Sequence, residues 1–195
     1  PKAAMISHGN FIAALAGGLT VSNKLGLKPG KKFLSYLPLA HIYERLNIVT
    51  SLLKGLQVYF YSGDILNLKK DILDCKPSVF PSVPRMYNRI YDGIRAAFDA
   101  ATGAKRLLID RAIKTKLYNL KNYGIYTHGI YDPLIFNKIK ATMGGEVSGF
   151  VCGSAPLSEE VANMIKICFS CTLIEGKEIF IYSIHLFIMN ECDDK

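Results

Sequence analysis

Between residues 153 and 158 the chain reads Gly153-Ser154-Ala155-Pro156-Leu157-Ser158, small residues set between an apolar run and a stretch of helical pattern. Small side chains let a flat ligand approach the backbone closely. The helix N-terminus that follows favours an anionic group. The same residues also make an ordinary tight strand-to-helix turn, and local chemistry leaves both readings open. A second constellation is Cys168-x-x-Cys171. A redox or zinc role would need a helix N-terminus or a second ligand pair, and neither is visible. The full set Cys75, Cys152, Cys168, Cys171 and Cys192 is odd in number and irregular in spacing, which suits a reducing compartment.

The 195 residues amount to one ordinary domain or part of a larger one, and half of them are hydrophobic, enough to bury a core. A net charge of +8 favours anionic partners such as nucleotides, phosphates, CoA or anionic lipid. The cations are dispersed over clusters at 28–32, 69–70 and 105–121, without the dense aromatic-interleaved run of a nucleic-acid surface. They read as solvated faces, and nucleic acid is not an expected partner. The most apolar run, 179–189, falls short of the ~20 residues of a membrane-spanning helix. The chain opens on Pro1-Lys2-Ala3 rather than Met, and is expected to begin mid-protein.

Strand-like and helix-like patterns alternate, which predicts an α/β architecture. Asn10 is positioned to cap a helix bearing Phe11, Ile12, Leu15 and Leu19. Short strands are expected at 33–37, 57–61, 78–80, 147–152 and 171–174. Helices are expected at 42–53, 65–73, 86–101, 104–122 and 134–143, with Pro81 and Pro84 holding an extended connection. Ser158 caps the helix after the small-residue loop, with Glu159 and Glu160 in its first turn.

Five blocks in order resemble the adenylate-forming (AMP-binding) superfamily, and its long-chain fatty-acid–CoA ligase branch in particular. Residues 1–10 resemble the end of the phosphate loop T-S-G-T-T-G-x-P-K-G, with Ala3 in place of the last glycine and no counterpart of the Ser/Thr/Gly half. Residues 34–45, which contain Leu37-Pro38-Leu39-Ala40-His41, resemble the L-P-L-x-H element. The stretches Tyr61-Ser62-Gly63-Asp64 and 76–87, with Val83-Pro84-Arg85, resemble the long-chain branch. Asp132-Pro133-Leu134-Ile135-Phe136-Asn137-Lys138-Ile139-Lys140 is a fourth block. The loop 153–158 is similar to the adenine-site element G-G/A-A-P-L-S.

The resemblance implies the large N-terminal domain fold in part, mixed β-sheets flanked by helices, over residues 1–176. It implies ATP, Mg2+ and CoA, and a fatty acid activated to acyl-AMP and passed to CoA. Residue by residue, Lys2 would contact the ATP phosphates, His41 would lie by the acyl-adenylate, and Gly153, Ser154, Ala155 and Pro156 would line the adenine. Glu44 and Arg45 would form a local ion pair, while His8, His128 and His185 receive no role. An intracellular site is implied, on the cytoplasmic face of the endoplasmic reticulum or another membrane, with peripheral membrane association.

After Gly176 the family continues Y-G-x-T-E, whereas this chain reads Lys177-Glu178-Ile179-Phe180. Residues 177–195 are therefore expected to be a foreign tail. Gly-Lys codons reading GGT-AAA contain a splice-donor-like GTAAA, so a retained intron or a gene-model error would produce it. Without those motifs the chain is expected to be inactive alone. Two alternatives stay open: a truncated homologue that binds lipid or nucleotide, and a ligase for another carboxylate.

Overall fold

The computed structural model describes residues 6–176. Lys2 and the tail expected at 177–195 lie outside the described residues. The order is α1 (His8–Lys24), β1 (Lys32–Ser35), α2 (Ile42–Leu53), β2 (Gln57–Phe60), a 3-10 turn (Ile65–Asn67), α3 (Leu68–Cys75), β3 (Val79–Ser82), α4 (Pro84–Asp99), α5 (Gly103–Tyr123), a π-turn (Asp132–Phe136), α6 (Asn137–Ala141), β4 (Gly149–Cys152), α7 (Glu159–Phe169) and β5 (Thr172–Glu175). The strands form one sheet in the order β2-β1-β3-β4-β5. Each pairing is parallel. The α/β class holds, with one parallel sheet among the described residues where mixed sheets were expected.

Both faces of this sheet are covered, as parallel sheets require. Leu34, Phe80, Phe150 and Leu173 point to a core shared with Ile72, Ile94, Ile109 and the apolar side of α7. Their neighbours Phe33, Val79, Val151 and Ile174 point the other way, onto Val21, Leu25 and Leu27. Side chains alternate across a strand, so two adjacent apolar residues fill two cores at once. That is why these strands read in sequence as short continuous apolar runs.

Local chemistry shifts some expected boundaries. The cap of α1 is Ser7 rather than Asn10: Ser7 Oγ accepts from Asn10 N–H at 3.1 Å, and Asn10 Oδ1 accepts from Ser7 N–H at 3.1 Å. This is a capping box with asparagine in the third position. Pro81 lies inside β3 rather than in the connection after it. It is tolerated because β3 pairs with β1 only at Val79, before the proline, and keeps its ladder with β4. The expected helix 134–143 is a π-turn beginning beside Pro133, followed by the short α6.

Candidate functional site

The C-terminal ends of β1, β4 and β5 converge on one pocket of about 380 Å³. That volume lies within the few hundred cubic ångströms usual for small-molecule sites. His41, Ile42 and Tyr43 come from the connection after β1, Cys152 to Pro156 from that after β4, and Glu175 from the end of β5. His41, Gly153, Ser154, Ala155 and Pro156, distant in sequence, thus share one wall-to-wall space.

The β1–α2 connection is fixed by its own hydrogen bonds. His41 N–H donates to Pro38 O at 2.9 Å and Arg45 Nε–H to Leu39 O at 2.9 Å. His41 is the N-cap of α2: its Nδ1 accepts the Tyr43 N–H at 3.1 Å. Accepting at Nδ1 places the proton of the neutral ring on Nε2. The ring is exposed, so it has a backbone role and a free donor together.

The expected Glu44–Arg45 ion pair does not form. Adjacent helical residues point about 100° apart, and Glu44 turns inward to 1% exposure. Ser35 Oγ–H donates to its carboxylate at 2.5 Å and Asn47 Nδ2–H at 3.3 Å. Burial raises the Glu44 pKa, and these two hydrogen bonds pull against that rise. Glu44 ties α2 to the end of β1.

Tyr43 is a site residue that motif reading does not single out. Its hydroxyl donates to Val151 O at 3.0 Å, and burial pushes its pKa well above the ordinary value. Its ring lies against Gly153 so closely that a Cβ there would stand 2.4 Å from Tyr43 Cζ. The glycine is demanded by this ring. A visible signal existed: an aromatic residue two places after the histidine, within a block already tied to a glycine loop.

In the loop itself Ser154 adopts φ 73°, left-handed backbone that a non-glycine residue enters at a cost of roughly 1–2 kcal/mol. Ser158 caps α7 as expected, its Oγ accepting from Val161 N–H at 3.4 Å. The first turn of α7 already carries Glu159 and Glu160, and Glu160 accepts from Tyr91 Oη–H at 2.5 Å. This helix end is therefore supplied with its own anions.

Burial raises the Cys152 thiol to about 11, with Glu175 adding to the rise. Cys168 and Cys171 are buried, and burial raises each to about 12. They sit at the C-terminal end of α7, the wrong end for thiolate stabilisation. Among the described residues no group of three or more His, Cys, Asp or Glu is placed to hold a metal. A second depression of about 560 Å³ adjoins the first through Ile42; Ser7, His8, Ala40 and Arg45 line it.

Residues 1–176 match the AMP-binding enzyme family model. The chain belongs to that family. It is 42% identical over 176 residues to "Long chain acyl-CoA synthetase 7, peroxisomal" of Arabidopsis thaliana, covering 90% of this chain and 25% of that protein. It is 38% identical over 177 residues to "Long-chain-fatty-acid--CoA ligase 6" of Mus musculus, again 90% of this chain and 25% of the relative. The chain thus spans about a quarter of the length of these relatives. In fold it is similar to the A-PCP didomain of carboxylic acid reductase from Segniliparus rugosus, solved with AMP. That likeness has a TM-score of 0.60 at 21% identity, covering 90% of this chain and 21% of that one.

Proposed function

We propose that this chain supplies the adenylate-binding wall of an AMP-forming long-chain fatty-acid–CoA ligase. In the intact enzyme a fatty-acid carboxylate attacks the α-phosphate of ATP, releasing pyrophosphate, and the CoA thiol then displaces AMP from the acyl carbon. The observation that carries this reading is the convergence of His41 with Gly153, Ser154, Ala155 and Pro156 on one pocket at the strand ends.

The loop 153–156 lies flat along the adenine, held in place by Tyr43 beneath Gly153. His41, its Nδ1 engaged in the cap, offers Nε2–H to the acyl-adenylate. Lys2, by its place in the phosphate-loop motif, would meet the phosphates. Preorganised donors of this kind act on charge that develops as pyrophosphate leaves. No described residue is assigned to magnesium. No described helix is long and apolar enough to cross a membrane.

The test is fatty-acid-dependent ATP–pyrophosphate exchange by the full-length enzyme that carries these residues. Palmitate should support exchange, and Gly153→Val should abolish it by driving a side chain into Tyr43. Preference for an aromatic acid over palmitate would replace the reading with a ligase for another carboxylate. Failure of ATP and of a non-hydrolysable acyl-AMP mimic to bind would reduce it to a non-catalytic homologue.

A further inference from the structure

Ser82 ends β3 and Pro84 begins α4, so Val83 alone joins strand to helix. A proline at the first helical position brings a φ already set for the helix. One turn further on, Tyr87 is carried against the end of β4. It is 0% exposed, and its ring meets Phe150 edge on at 5.8 Å between centroids. Its hydroxyl donates toward two backbone carbonyls, Phe80 O at 2.8 Å and Val151 O at 3.0 Å. Burial pushes its pKa well above the ordinary value, so the group stays a donor.

Val151 O also receives the Tyr43 hydroxyl, at 3.0 Å. The two tyrosines come from opposite faces of the sheet. Tyr87 belongs to the core of Leu34, Phe80 and Phe150. Tyr43 lines a cavity of about 60 Å³ on the other face, together with Val21, Leu25, Val79 and Val151. A carbonyl oxygen has two lone pairs, enough for one donor from each side. Val151 stands two residues before Gly153, whose N–H donates to Ser82 O at 2.9 Å. The glycine loop therefore leaves the sheet from a backbone held at two nearby points, and one of those holds comes from α4.

We propose that Tyr87 is a positioning residue for the pocket: by sharing the Val151 carbonyl with Tyr43, it sets where the Tyr43 ring stands and how the 153–156 loop enters the site. The side chain touches no pocket-lining surface of its own and acts through that carbonyl. The hydroxyl, rather than the ring, carries this role, because phenylalanine would keep the contact with Phe150 and lose only the donor. The inference rests on the adenylate-wall reading of the pocket.

The experiment uses the full-length enzyme that carries these residues and the variants Tyr43→Phe, Tyr87→Phe and their combination. Calorimetry gives the Kd of a non-hydrolysable acyl-AMP mimic, and ATP–pyrophosphate exchange gives KM for ATP and kcat. Each single variant should bind the mimic about fivefold more weakly, the scale of one hydrogen bond. Tyr87→Phe should raise KM for ATP by about as much while kcat stays within about twofold, a split that general loosening of the core would not produce. The double variant should lose about fivefold to tenfold rather than the roughly 25-fold of independent sites, because both hydroxyls hold one carbonyl. Tyr126→Phe removes a comparable hydroxyl, which meets Thr172 Oγ1 at 3.0 Å away from the pocket, and should bind as wild type does. Urea unfolding checks that the variants fold; should Tyr87→Phe fail to, Tyr43→Phe decides, since wild-type affinity there would show that the carbonyl anchors nothing. Wild-type affinity and KM in Tyr87→Phe, independent losses in the double variant, or an equal loss in Tyr126→Phe would each overturn the proposal and leave the ligase reading standing. A wild-type enzyme that does not bind the mimic would remove both.

Discussion

Lys116 sits in the middle of the basic stretch 105–121, yet its side chain is 0% exposed. Its ammonium donates to Asp132 Oδ1 and to Ile167 O, each at 2.5 Å, and to Ser170 Oγ at 2.9 Å. It also lies 4.2 Å from the centre of the Phe136 ring. One cation thus joins α5, the π-turn and the end of α7. Consider Lys116→Met, which keeps most of the volume and removes the charge. Asp132 is then left with the His128 N–H at 3.0 Å as its remaining donor. Breaking a buried pair typically costs about 3–5 kcal/mol. Asp132 keeps 17% exposure, so the lower end, about 3 kcal/mol, is expected. At about 2–4 °C per kcal/mol for a domain of this size, the melting temperature should fall by roughly 6–12 °C.

The double variant Lys116→Met/Asp132→Asn should recover to within about 1 kcal/mol of wild type, because it removes the orphaned charge. Burial lowers the Lys116 pKa from 10.5, and the hydrogen bond and charge of Asp132 pull against it. The folded pKa therefore lies below the unfolded one, and the cost of burying the protonated lysine is felt in full below the folded value. As pH rises from there toward 10.5 the unfolded chain holds the proton longer, so wild type should gain stability relative to the double variant. Urea unfolding of the three proteins across alkaline pH measures both effects. If Lys116→Met lies within about 1 kcal/mol of wild type, the ammonium is not the node the geometry makes it.

Three further outcomes follow from the site. Ser154→Gly relieves the left-handed backbone at φ 73° and should stabilise by about 1 kcal/mol, read as a rise in melting temperature. Gly153→Ala should cost about 1–3 kcal/mol by chemical unfolding, because the new methyl meets the Tyr43 ring; Tyr43→Ala in the same chain should restore part of the loss. His41→Ala should lose the α2 cap, at about 1 kcal/mol, together with adenylate affinity. His41→Asn should recover the cap and not the affinity, so calorimetric binding of an acyl-AMP mimic separates the two roles.

How much of this was legible in sequence depends on whether an element is decided locally. The bounds of α2 are readable at both ends, since a Pro-initiated turn precedes it and Gly55 follows. The 153–158 loop is readable because small residues, a proline and a capping serine coincide. What escaped depends on partners far along the chain. The role of Tyr43 rests on Val151 and Gly153, over a hundred residues away. Lys116 reads as one more solvated lysine until its spacing from Ile109 and Ala112 is counted, which puts it on the core side of α5. Glu44 reads as the partner of Arg45 because the two are adjacent, but adjacency on a helix separates side chains, and the donor that reaches the Glu44 carboxylate is the Ser35 hydroxyl.

The location of the pocket follows from topology rather than from any single motif. The chain runs from β1 outward to β2, then crosses back to add β3, β4 and β5 on the other side of β1. In an open parallel sheet this reversal leaves the connections after neighbouring strands leading to opposite faces, and a crevice opens at their carboxyl ends. The reversal lies between β1 and β3: the connection after β1 enters α2 on one face, and those after β3 and β4 enter α4 and α7 on the other. His41 stands on the first and Gly153 to Pro156 on the second, so the two motifs face each other across the crevice. Tyr43 spans it, its ring against Gly153 and its hydroxyl on Val151 O. A residue that bridges both connections fixes their separation, and with it the width of the gap they line. Widening that gap with Tyr43→Ala should therefore weaken an adenosine mimic more than it weakens the fold, a comparison that binding calorimetry and urea unfolding make on the same protein.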